Sequence, residues 1–173
     1  MVEPGFEESC DLLIIGSGGA SICAALLAKD AGAEPLIIEK TDKLGGSTAL
    51  SGGVVWVPNN SLMKREGVED SFEKAWTYLE ACSAGAGAAA SPERRRAFLE
   101  QAPRVADYLE AKGMKWYRSD GWSDYHENEL PGGVARGRTL EAKTFDLKEL
   151  GEWSKRLRLR DVDVPVNTRS PRG

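Results

Sequence analysis

The chain has 173 residues, 41% of them hydrophobic and 29% charged, so it can bury a core and is too apolar to stay disordered. Its 23 basic and 27 acidic side chains leave a net charge of −4, which argues against the basic face that non-specific nucleic-acid binding requires. Glycine is the outlier, at 19 residues against a usual ~7%.

Residues 1–9 carry Glu3, Glu7 and Glu8, and lack both the basic start and the apolar stretch of a secretory signal. No apolar run approaches the ~18 residues of a membrane span. Cys10, Cys23 and Cys82 are irregularly spaced, and His126 is the single histidine. That set suits neither a disulfide framework nor a zinc site, and reads as reduced, mostly buried thiols. A soluble, cytoplasmic setting is expected.

Residues 12–15 form a compact apolar run ending at Gly16, the pattern of a parallel strand buried on both faces. Residues 22–31 are rich in Ala and Leu and stop at Gly32, which predicts a helix. Residues 36–38 predict a second buried strand, closed by Glu39. The order strand, glycine turn, helix, strand is a βαβ unit. A second glycine cluster follows, and 54–57 reads as a short strand. The spacing predicts a helix over 69–82, with Asp70 or Ser71 as cap and Phe72, Ala75, Trp76 and Leu79 on one face. Residues 83–90 read as an Ala/Gly linker. Ser91 and Pro92 start another helix, which Pro103 kinks or divides and Gly113 ends. Beyond it lie an aromatic-rich stretch, a turn at 131–133, and weak periodicity from Thr139. In the tail, Arg156, Arg158 and Arg160 alternate with leucines, which reads as an exposed strand or an unfolded end. Arg94, Arg95 and Arg96 read as a solvated helix face, and His126 beside Glu127 as a surface ion pair.

Gly16 and Gly18 follow a strand and open a helix, with Glu39 about 20 residues on, the arrangement of a dinucleotide fingerprint. Gly16 permits the tight turn, and Gly18 lets backbone approach a diphosphate. Gly19, Ala20 and Ser21 complete the turn before the helix, whose first-turn N–H groups and dipole favour an anion. Ser21 stands where the motif has a third glycine, adding bulk between helix and strand. Glu39 can accept a ribose hydroxyl, and Lys40 lies next to it. The competing reading is a glycine turn in an unrelated α/β domain.

The second cluster comprises Gly45, Gly46, Ser47, Thr48, Ser51, Gly52 and Gly53. A surface loop would explain it alone. With Glu39 before it and Trp56 and Pro58 after it, however, the stretch resembles the FAD-binding segment of the fumarate reductase/3-ketosteroid dehydrogenase flavoproteins. It is most similar to the 3-ketosteroid Δ1-dehydrogenase branch. The run 122–126, followed by Gly132, Gly133, Gly137 and Arg138, resembles a further segment of that branch.

The resemblance implies an α/β fold: an N-terminal Rossmann-like βαβ FAD-binding unit, then a helical segment, with an incomplete sheet. It divides the chain into an FAD-binding unit and flavin loop (1–68), a helical segment (69–113) and the start of a substrate or cap region (114–173). It implies FAD as cofactor, a steroid-like ketone as substrate, and dehydrogenation of a carbon–carbon bond beside a carbonyl. Tyr125 matches the family's first active-site tyrosine, which supports a second tyrosine acting as base; an aromatic packed in its loop is the bland alternative. That second tyrosine and the carbonyl-polarising group lie beyond residue 173. The chain alone is therefore expected to bind FAD weakly or not at all and to turn over no steroid. A dinucleotide protein using NAD, a fumarate reductase-like flavoprotein, and a non-catalytic chain acting with a complementing chain all remain open.

Overall fold

The computed structural model describes Gly5 and residues 8–159; Glu3, Glu7 and the end of the arginine alternation at Arg160 lie outside the described residues. The described residues pack as two units, one of residues up to 53 with those from 146 on and one of residues 54–145, boundaries set by packing rather than by the functional segments read from motifs.

In the first unit, β1 (Leu12–Ile15) and β2 (Pro35–Ile38) pair in parallel, Leu12 opposite Pro35 and Ile15 opposite Ile38. Helix α1 (Gly19–Asp30) connects them and packs on both. It begins three residues before the expected start, because Gly18 in an extended conformation serves as its N-cap. It ends where Gly32, at φ +79°, lets the chain turn back. A short helix, α2 (Gly46–Leu50), follows β2, and a 3₁₀ segment (Leu147–Arg156), broken in two at Gly151, returns to this unit.

The expectation that β1 and β2 are buried on both faces is corrected. Ile14 is buried, but Leu13 is 54% and Ile15 80% exposed. The reason is the sheet itself. Two strands with one helix on them cover one face and leave the other, together with both edges, unpaired among the described residues. The α/β class and the incomplete sheet are as the motifs imply.

In the second unit, β3 (Val54–Trp56), β4 (Trp116–Arg118) and β5 (Thr139–Ala142) form an antiparallel sheet in the order β3-β5-β4. Weak periodicity concealed β5. As the central strand it buries Thr139, Leu140 and Glu141 in succession, so its residues do not alternate. Leu140 is wholly buried with Val57, Leu62, Ala106 and Trp116. Helices α3 (Ser61–Arg65), α4 (Phe72–Cys82) and α5 (Pro92–Ala111) complete the unit, with a 3₁₀ turn (Gly87–Ala90) inside the Ala/Gly linker.

Ser71 caps α4 by accepting the Lys74 amide at 3.1 Å. Its buried residues are Ala75 and Tyr78, while Phe72 and Trp76 stack on each other under Arg96. Ser91 and Pro92 open α5 as expected, but Pro103 does not divide it: the helix runs unbroken for 20 residues. Burial of Leu99 before the proline and Ala106 after it outweighs one lost hydrogen bond. Arg95 is likewise not a solvated side chain. It lies over the Trp76 ring and donates to Ser83 Oγ at 3.0 Å. His126 pairs with Glu129 at 2.9 Å rather than Glu127, because its turn brings residue 129 back toward it. The cysteines are free, but none is fully buried, and Cys82 is exposed.

Asp70 is not a cap because a buried cation claims it. Arg138, wholly buried, forms a two-pronged pair with Asp70 (2.7 and 2.9 Å) and reaches Asp124 at 2.9 Å. The Trp56 and Tyr78 rings flank the guanidinium, and Trp56 Nε1 donates to Asp124 at 2.7 Å. Removing the cation strands two buried carboxylates. Arg138→Met should therefore cost about 3–5 kcal/mol, the usual effect of breaking a buried pair. Urea unfolding tests this, and a loss below ~1 kcal/mol would show that the cluster does not hold the unit together.

Candidate functional site

A cavity of about 710 Å³ opens at the carboxyl ends of β1 and β2, lined by Ile15, Gly16, Ser17, Gly18, Ile38, Glu39, Lys40, Thr41, Gly46, Ser47, Leu50 and Arg158. Open parallel sheets bind ligands at that end, where helix N-termini also converge.

Gly16 has φ +91°, and its amide donates to Ile38 O at 2.7 Å, so the turn keeps hold of the neighbouring strand. A Cβ at Gly16 would meet nothing within 4 Å and would project into open space. Next to it, Ser17 is 4% exposed and gives both its amide (3.1 Å) and its hydroxyl (2.7 Å) to Glu39 Oε2. Thr41 N donates to Glu39 Oε1 at 3.3 Å. These donors, the Ser17 hydroxyl foremost, hold the Glu39 carboxyl below its ordinary pKa. A carboxylate offers about four acceptor sites, so Glu39 keeps capacity for a hydroxyl of a bound ribose.

The second glycine cluster folds directly onto the first. Gly45 N donates to Ser17 Oγ at 3.0 Å, and Thr48 Oγ1 accepts the Gly19 amide at 3.0 Å. A Cβ on Gly46 would lie 3.5 Å from Gly18 Cα. Gly45, at φ +105°, has no room for a side chain, since its Cβ would sit 2.5 Å from that of Ala49. The unrelated-turn and loose-loop readings do not account for this mutual packing.

Of the residues singled out from sequence, Gly16, Gly18, Glu39, Lys40, Gly46 and Ser47 line the cavity. Gly45, Thr48 and Gly19 hold the two glycine segments together behind it. Ala20 and Ser21 continue α1 outside the cavity wall. Ser51 bridges Thr48 O and Gly53 N, and with Gly52 and Gly53 is exposed beyond the wall. Tyr125 belongs to the second unit, at the start of a turn, 94% exposed. The residues on either side of it are anchored: Asp124 by Arg138 and Trp56, and His126 through its amide to Tyr78 Oη at 3.2 Å. Burial pushes the Tyr78 phenol up to about 12, so it stays protonated at neutral pH.

Sequence reasoning missed Ser17, Thr41 and Arg158. The position of Ser17 between two fingerprint glycines was a usable signal, since a hydroxyl there faces the acid that ends the next strand. Arg158 had no local signal, because it reaches the wall through long-range contacts alone.

Fold and site define a dinucleotide-binding protein of Rossmann type. The profile of the FAD binding domain family matches residues 11–172, and the chain belongs to that family, whose cofactor is FAD. It is 40% identical over 161 residues to a 3-oxosteroid 1-dehydrogenase of Mycobacterium tuberculosis, covering 92% of this chain and 28% of that protein. It is 33% identical over 154 residues to a 4-oxocyclohexanecarboxylate 2-dehydrogenase of Sinomonas cyclohexanicum, covering 88% of this chain and 26% of that one. Its structure superposes on 3-ketosteroid Δ1-dehydrogenase from Sterolibacterium denitrificans, solved with 1,4-androstadiene-3,17-dione, with a TM-score of 0.78 and 39% identity over 87% of this chain and 26% of that chain. The chain thus spans little more than a quarter of these relatives, and the ketosteroid dehydrogenase resemblance read from its motifs is met in both sequence and structure.

The hydroxyl of Ser17 sets the ionisation of Glu39. In Ser17→Ala the Glu39 pKa should rise toward its ordinary value, stopping short of it because the backbone donors at Ser17 and Thr41 remain, as read by ¹³C NMR of its carboxyl carbon. The depressed folded value means that this pair stabilises the chain above the unfolded pKa. The contribution fades as pH falls through the folded value. A midpoint that Ser17→Ala leaves unmoved would rule out the hydroxyl as the cause.

Proposed function

We propose that this chain is the FAD-binding part of a dehydrogenase that removes hydrogen from a carbon–carbon bond beside a ring ketone, with a 3-ketosteroid as substrate and C1–C2 as the bond. The observation that carries the reading is the cavity wall, where a glycine turn, an acid fixed by Ser17 and a second glycine cluster meet around one space. The names of the relatives support the substrate class: steroid and cyclohexane dehydrogenases share a cyclic ketone.

The residues present fit FAD. Gly16, Gly18, Gly46 and Ser47 offer backbone without obstructing side chains to the diphosphate, and Glu39 accepts from the adenosine ribose. Lys40 and Arg158 add cations to a wall that also carries the Glu39 carboxylate. Gly19, Gly45 and Thr48 keep the wall rigid, while Ala20, Ser21, Ser51, Gly52 and Gly53 shape the approaches. Bound there, FAD supplies an acceptor for a hydride. Tyr125, held between two anchored neighbours, serves as the first active-site tyrosine and gives a hydrogen bond to the base that takes the proton beside the ketone. A phenol has an ordinary pKa near ~10, so such a partner eases its deprotonation. Among the described residues no helix is long and apolar enough to cross a membrane. The three free thiols support a cytoplasmic protein.

Equilibrium titration of the chain with FAD, followed by flavin fluorescence, should show at most weak binding, competed by ADP, with NAD binding more weakly still. Glu39→Ala should weaken FAD by roughly tenfold, the worth of a hydrogen bond to a charged group. An unchanged affinity would remove the ribose role. For the reaction, residues 11–157 can replace the matching segment of the Mycobacterium tuberculosis relative. The chimera should oxidise a 3-ketosteroid, and Tyr125→Phe in it should lower kcat about 10²-fold or more while leaving FAD content unchanged. Full activity in that variant would return Tyr125 to a packing or surface role.

A further inference from the structure

We propose that Arg158 forms the nucleobase end of the dinucleotide cavity and holds the adenine ring of FAD against its guanidinium. The proposal rests on the reading that this cavity takes FAD, and goes beyond it by assigning a subsite to a residue that no motif contains.

The argument begins with the backbone. After the 3₁₀ helix, the chain runs beside the loop that follows β2. Leu44 N donates to Arg156 O at 2.6 Å, Arg158 N donates to Leu44 O at 2.8 Å, and Leu44 bridges Leu157 in parallel. Lys43 Nζ donates to Lys155 O at 3.0 Å. These contacts fix the Cα of Arg158 at the rim, and its side chain lines the cavity. Over the described residues 156–158, the alternating segment is therefore docked beside Leu44.

The side chain is also fixed. Arg158 Nη2 donates to Thr41 Oγ1 at 2.9 Å. That hydroxyl gives its own proton to Lys43 O at 3.0 Å, so it is committed as an acceptor toward Arg158. One N–H of the guanidinium is spent on Thr41. Among the described residues no carboxylate forms an ion pair with Arg158, which leaves its flat face and remaining donors available to a ligand.

The order of the wall matches the order of the ligand. Ser17, in the glycine turn, touches Glu39; Glu39 touches Thr41; Thr41 touches Arg158. A dinucleotide that puts its diphosphate on the turn and its ribose on Glu39 has its base next in line. A guanidinium stacks on an aromatic heterocycle and hydrogen-bonds its edge. A second phosphate at that end is disfavoured by the Glu39 carboxylate two contacts away.

The probes are ADP, which carries the base, and inorganic pyrophosphate, which does not. Each is titrated into ¹⁵N-labelled chain and followed by amide chemical shifts. Arg158→Ala should raise the Kd for ADP about three- to tenfold and leave that for pyrophosphate within twofold. Arg158→Gln, which can still donate to Thr41, controls for loss of the docked segment: its spectrum should overlay the parent and its ADP affinity should fall as in Arg158→Ala. Unchanged ADP affinity in Arg158→Gln overturns the proposal. An equal loss for ADP and pyrophosphate also overturns it, by moving Arg158 to the phosphates. If the parent chain binds pyrophosphate or ADP nowhere near Glu39, the cofactor reading itself fails, a result distinct from either.

Discussion

One buried hydroxyl organises the first unit. Ser17 Oγ donates to Glu39 at 2.7 Å and accepts from Gly45 N at 3.0 Å. It thereby joins the end of β1 to the end of β2 and to the second glycine cluster. A hydroxyl can do this because it carries one donor and two acceptor sites. Alanine would sever both links, and a carboxylate would repel Glu39. The serine sits between two glycines because its hydroxyl must turn inward while the backbone on either side stays open to the cavity. Cofactor binding and strand pairing thus share one side chain.

The same economy governs the second unit, with charge in place of a hydroxyl. Arg138, Asp70 and Asp124 are all buried, and each oxygen or nitrogen between them is committed. The arrangement ties the residue before the α4 cap, the loop before Tyr125 and the residue that leads into β5 into one cluster. An apolar core of similar volume could supply equal stability. What the ions add is a fixed direction for the loop, since a two-pronged guanidinium pair tolerates little rotation. The exposure of Tyr125 is then compatible with order: its side chain is free to meet a ligand while its backbone neighbours are held.

How much of this was legible in the sequence follows from the range of the forces involved. The glycine turn, Glu39 and helix caps such as Ser91 were readable because each acts within a few residues or one βαβ unit. Asp70 and Ser71 were equally good caps by composition, and only Arg138, 68 residues away, decided between them. Strand β5 was hidden because a central strand buries successive residues, which erases the alternation that marks a half-exposed one. The membership of Ser17 in the site was available in principle, while that of Arg158 was not.

The exposed face of β1 and β2 concerns the same boundary between local and distant information. Ile15 and Leu13 have the composition of a strand covered on both sides, and the structure leaves them open among the described residues. Local sequence therefore encodes a burial that local packing does not deliver. Relatives more than three times as long have more chain with which to cover such a face. The sheet also forms the floor of the cavity, since Ile15 and Ile38 line it. Covering that face would remove water from one side of the site and strengthen every hydrogen bond to Glu39. Cover for that face and the floor of the cavity thus depend on the same two strands.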